Sequence, residues 1–163
     1  MQITVSNNNW KTVALDVVLI AAACFVPALS HLTALSLYHA DPMRWLLLAG
    51  VLLAVDKRNG YILAVALPLV ACLLSGMPTP AKALIIAVEL SVNVALLQWL
   101  RTKIHVLPAV LLSIVSAKIV YYGLKALILT PTVLISTAWS TQIIVIAAIC
   151  IAFTIGNKMM KRD

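Results

Sequence analysis

The chain has 163 residues, 63% of them hydrophobic and only 10% charged, with a net charge of +7. A soluble domain of this length is typically about 25% charged, so the apolar surplus exceeds what one water-facing core can hide. The composition excludes an ordinary soluble domain and predicts an integral membrane protein.

A helix needs about 20 residues to cross the roughly 30 Å hydrocarbon layer. Six spans are expected, at about 12–30, 42–55, 60–76, 80–101, 105–129 and 139–158. The apolar runs are continuous and do not alternate as β-barrel strands do. The expected fold class is therefore all-α: a six-transmembrane-helix bundle forming one domain over 1–163, with no linker, low-complexity stretch or internal repeat.

The first span holds the small residues Ala21, Ala22 and Ala23, but its apolar run continues to Pro27. No clear A-x-A site precedes a soluble domain, so it reads as a retained helix and not as a cleaved signal peptide. The second and third spans are short, and with the proline-rich turns they predict helices that do not all run straight through. Gly50 with Ala54, and Ala83 with Ala87 in the fourth span, are small-xxx-small pairs that let helices approach closely.

The stretch 73-LLSGMPTPAKALIIAVEL-90 joins the third span to the fourth. Gly76 permits a tight turn, Pro78 cannot continue the third helix, and Pro80 suits the first turn of the fourth. Lys82, Glu89 and Asn93 then recur at i, i+7 and i+11 and line one stripe. Lys118, Tyr122 and Lys125 of the fifth span form a second stripe at i, i+4 and i+7. At ~1.5 Å per residue, Glu89 lies roughly 13 Å from Pro80 and Lys118 roughly 16 Å from Leu129. The two stripes share a depth. They predict a polar pocket in the outer half of the bundle, because charge inside a membrane is by default functional. An internal ion pair between Glu89 and Lys118 that merely fixes helix register is the structural alternative, and Lys82 and Lys125 are near enough to span ends to snorkel. Asp16 and Arg44 read as structural or interfacial.

Eight of the twelve Lys and Arg fall at the amino end (Lys11), in two loops (Lys57, Arg58; Arg101, Lys103) and at the tail (Lys158, Lys161, Arg162). With six spans these share one side, so both termini are expected in the cytoplasm. The basic charge then sets topology and does not point to nucleic acid. Trp10, Trp99 and Trp139 fall near span ends, as interface anchors do. Cys24, Cys72 and Cys150 sit singly inside spans and read as small apolar residues. His31, His39 and His105 show no metal-ligand spacing. No phosphate loop, nucleophile elbow or dinucleotide fingerprint is present, so no enzymatic activity, cofactor or metal is expected, and ATP hydrolysis would have to come from a partner.

The run 42-PMRWLLLAGVLLAVDKRNGYILAVALPLVACLLSGMPTPAKALIIAVELSVNV-94 resembles the S components of energy-coupling factor (ECF) transporters. The resemblance rests on Pro42-Met43, Gly50, Pro68, Gly76-Met77-Pro78, Pro80 and Glu89-Leu90, and on 117-AKIVYYG-123, which is similar to that family's fifth-helix segment. It covers about 42–125. In this chain Lys118 stands where that segment more usually has arginine, and Ala14 is followed by Val18 where the family's first helix often has an A-x-x-x-A surface. The resemblance implies a multi-pass subunit of the cytoplasmic membrane that captures a vitamin-like small molecule from outside. It further implies partners: a coupling transmembrane subunit and two ABC-type ATPases. The expected substrate-binding residues are Glu89, Asn93, Lys118, Tyr122, Lys82 and Lys125. A different class of function stays open, a self-sufficient small transporter or channel that uses Glu89 for proton or ion coupling.

Overall fold

In an apolar environment every backbone N–H and C=O needs an internal partner, and a helix provides one within the segment itself. The computed structural model describes residues 7–33, 40–53, 57–128 and 139–160. Among them are six helices: α1 (Asn7–Thr33), α2 (Pro42–Leu53), α3 (Asn59–Ser75), α4 (Pro80–Leu100), α5 (Val106–Ile128) and α6 (Trp139–Met160). No strand occurs among the described residues. His39, Ala54, Lys161, Arg162 and the expected span ends at 55 and 129 lie outside them.

Four segments are long and apolar enough to cross a membrane: Trp10–Ser30, Pro80–Leu100, Val106–Ile128 and Ser140–Met160. Helices α2 and α3 have 12 and 17 residues. At ~1.5 Å per residue they reach roughly 18 and 25 Å, short of the roughly 30 Å hydrocarbon layer. The outward surface is apolar. Val17, Phe25, Leu73, Leu74, Ile119, Ile143 and Ile155 are all exposed, which in water would mark an aggregation liability.

The helices contact one another in a closed ring, in the order α1, α2, α6, α5, α4, α3 and back to α1, with α2 and α3 also in contact across it. Two apolar clusters fill the ring. One joins α1, α2, α3 and α4 through Leu19, Leu47, Leu63, Leu67, Leu90 and Val94. The other joins α2, α4, α5 and α6 through Leu48, Leu97, Val110, Ile114, Ile149 and Phe153. Only α2 and α4 belong to both, so they form the seam of the bundle. Gly50 makes the α2–α3 approach possible, since a Cβ there would lie 2.3 Å from Leu63 Cδ1.

Polar contacts gather one end. Asn59 Nδ2 donates to Asp16 Oδ1 at 2.7 Å, Gln98 Nε2 to the Lys57 carbonyl at 2.7 Å, and Arg101 Nη2 to Asn157 Oδ1 at 3.1 Å. These bonds bring the first half of α1, the start of α3, the α4–α5 turn and the last turn of α6 together, and with them the basic residues of both loops. At the other end the α3–α4 turn behaves as its sequence predicts. Gly76 has φ +68° and donates its N–H to the Cys72 carbonyl at 3.0 Å, closing α3 in the left-handed conformation that glycine adopts freely. Pro80 opens α4, where its missing N–H is not required.

Candidate functional site

The site begins at the first turn of α2. Asp41 precedes Pro42, and its carbonyl accepts the N–H groups of Arg44 at 3.0 Å and Trp45 at 3.3 Å. Asp41 is therefore the N-cap, and it holds a left-handed φ of +51°, uncommon for any residue but glycine and best tolerated by Asn and Asp. A carboxylate here also complements the partial positive charge of the helix N-terminus.

Because α2 is short, its first turn is level with the middle of α4 and not with its start. Arg44 thus reaches Glu89, nine residues beyond Pro80. Four side chains close into a ring of alternating charge. Arg44 Nε lies 3.1 Å from Asp41 Oδ2, and Arg44 Nη2 donates to Glu89 Oε1. Lys118 Nζ lies 3.0 Å from Asp41 Oδ2 and 3.4 Å from Glu89 Oε1. Each cation touches both carboxylates.

Burial within the ring is graded. The Arg44 and Glu89 side chains are 0% and 4% exposed, those of Lys118 and Asp41 21% and 24%, so the ring has a sealed side and an accessible one. Its donors are also not exhausted. The Nε contact with Asp41 is an ionic approach without hydrogen-bond alignment, and Arg44 Nη1 is buried with no hydrogen-bond partner. An unpartnered buried donor of this kind is costly. One turn along α4 from Glu89, buried Asn93 donates weakly to Ser113 Oγ at 3.4 Å, while its own Oδ1 has no partner.

Above the ring stands a second group. The Tyr121 ring lies between two lysines, 5.4 Å from Lys118 Nζ and 5.9 Å from Lys125 Nζ. Lys125 is buried, and its charge and that of exposed Lys82 repel one another. Tyr122 turns instead toward α6, where its hydroxyl donates to Gln142 Oε1 at 2.8 Å.

The structure therefore brings Glu89 and Lys118 into direct contact, sets Asn93 one turn along α4 from Glu89, and brings Lys82 near enough to Lys125 for their charges to repel. Tyr122 points away, and its neighbour Tyr121 faces the lysines. Arg44 is the main surprise, since a residue that reads as structural or interfacial is the most buried charge of the ring. Asp41 was not singled out by sequence, although an Asp-Pro step just before an apolar helix is an N-cap signature that could have found it.

The charge of this end follows from composition. The chain has five acidic residues, and among the described ones Asp16 lies at the end that carries the basic loops. Among the described residues only Asp41 and Glu89 are acidic at the end that carries Arg44, Lys82, Lys118 and Lys125, so there the cations outnumber the carboxylates by two. Among the described residues no group of three or more His, Cys, Asp or Glu could hold a metal ion, and Cys24, Cys72 and Cys150 are free thiols. What this arrangement can do is bind: it offers fixed donors and surplus positive charge inside an apolar bundle. No family model, curated protein or solved structure matches the chain.

Proposed function

We propose that this chain is the substrate-binding S component of an ECF-type importer, a six-span subunit of the cytoplasmic membrane with both termini inside. It captures a vitamin-like small molecule bearing an anionic or strongly polar group from the outer face. A coupling membrane subunit and two ABC-type ATPases then drive uptake. The observation that carries this reading is the charge ring of Asp41, Arg44, Glu89 and Lys118 with two surplus lysines above it. Snorkelling accounts for exposed Lys82, whereas buried Lys125 beside the Tyr121 ring is a charge that an anionic ligand would compensate. The orientation is supported by the gathering of Lys57, Arg58, Arg101 and Lys103 at the opposite end, as the positive-inside rule requires of a cytoplasmic face. The sequence resemblance over 42–125 supplies the transporter class.

The test is a pull-down of the tagged chain from its native membrane in mild detergent, read by proteomics. Two ABC-type ATPases and a coupling membrane protein are expected in the eluate. Recovery of the chain alone, under conditions that keep other membrane complexes intact, would reject the S-component reading. Glu89 would then be examined as the coupling carboxylate of a solitary transporter, through uptake into liposomes driven by a pH gradient.

A further inference from the structure

Three features of the ring concern Asp41. It is the one member that is not on a helix, it is the most exposed, and its Oδ2 is approached by Lys118 Nζ at 3.0 Å and Arg44 Nε at 3.1 Å. It also sits at the N-terminus of α2, whose dipole favours negative charge. Glu89 is different: it is buried, carried by the middle of α4, and forms the inner pair with Arg44. A third nitrogen of the same guanidinium, Arg44 Nη1, is wholly buried and has no partner. The donors converging on Asp41 therefore form a complete oxyanion seat of two cations and a helix N-terminus, with one donor to spare.

We propose that Asp41 is an internal stand-in for the ligand: its carboxylate occupies the seat in the empty protein, and an incoming carboxylate or phosphate displaces it from Lys118 and Arg44. This deepens the proposed binding function and rests on it for location, though not on the identity of any partner subunit. The exchange keeps the seat neutralised throughout, because one oxyanion replaces another while Glu89 remains paired with Arg44. Lys125 shares the Tyr121 ring with Lys118, and its charge with that of nearby Lys82 adds to the attraction for an anion.

The proposal has a sign that a purely structural Asp41 lacks. Removing the carboxylate must tighten anion binding, because the internal competitor is gone. The probe is inorganic phosphate, titrated at constant ionic strength against chloride into the purified chain in a neutral detergent, with thermal unfolding and Trp45 fluorescence as readouts. For Asp41→Asn the melting temperature should fall without phosphate and be restored by it. Its apparent affinity should be at least roughly tenfold tighter than that of the unaltered chain, as expected when an occupied seat becomes free. Asp41→Gly, which suits the left-handed backbone, should behave in the same way and guards against a folding defect specific to asparagine. A parallel arm uses nanodiscs of phosphatidylcholine with or without phosphatidylglycerol and no free phosphate. A difference between variant and unaltered chain confined to this arm supports the seat and makes a lipid headgroup its occupant. Equal responses in both arms, or weaker binding in both variants, would overturn the proposal. Because no partner subunit is present, that result is distinguishable from a failed pull-down.

Discussion

Arg44 and Glu89, 45 residues apart in sequence, form a buried ion pair across the seam between α2 and α4. The pair joins the two helices that belong to both apolar clusters, so it fixes how the two halves of the ring meet. Charges buried this way are neutral to stability as a pair but costly when one partner is removed. Arg44→Met and Glu89→Gln should each destabilise the bundle by about 3–5 kcal/mol, read as loss of the folded fraction in detergent unfolding. The double variant Arg44→Leu with Glu89→Leu should recover most of that loss. Additive losses would show that the two residues are not energetically coupled.

Lys118 is the ring's accessible cation, and in the proposed function it is a ligand contact. Lys118→Met should reduce the small molecules that copurify with the chain at least roughly tenfold, as expected for loss of a charge-assisted contact. The measurement is mass spectrometry of a denaturing extract. Retention of an unchanged ligand would exclude Lys118 from the site.

Lys125 is buried beneath the Tyr121 ring and repelled by Lys82. Lys125→Met keeps the length of the side chain and removes the repulsion, so the apo protein should gain about 1 kcal/mol. Ligand retention should fall at the same time. A variant that is less stable and binds normally would assign Lys125 a purely structural role.

Gly50 governs the α2–α3 approach. Gly50→Ala sets a Cβ against Leu63 and should cost about 1–3 kcal/mol through overpacking. Trimming the obstruction with Leu63→Ala in the same chain should make the combined loss smaller than the sum of the two single losses, as measured by chemical unfolding.

How far the sequence carried these features depends on the range of the interaction that fixes each one. Gly76, Pro78 and Pro80 act within a few residues, and the turn they make was legible. Helix count followed from the lengths of the apolar runs, and the shared depth of Glu89 and Lys118 from the helical rise counted back to the span ends. The structural reading of Arg44 fits its buried pair with Glu89, but its full burial was not legible, because that depends on where α2 begins in depth and no local pattern encodes it. The same holds for Tyr121 and Tyr122: adjacent tyrosines differ by about 100° around a helix, and only the position of α6 decides which of them faces the lysines.

The shortness of α2 carries an electrical consequence. In the proposed orientation the ring lies part-way through the low-dielectric layer, so an anion that reaches it has already crossed a fraction of the membrane voltage. A full crossing is worth about 2.3 kcal/mol per unit charge at 100 mV, and an inside-negative potential opposes the entry of an anion. Lys82 and Lys125 offset part of that cost, and occupancy of the proposed site by an anion would vary with the resting potential through the charge of the ligand itself.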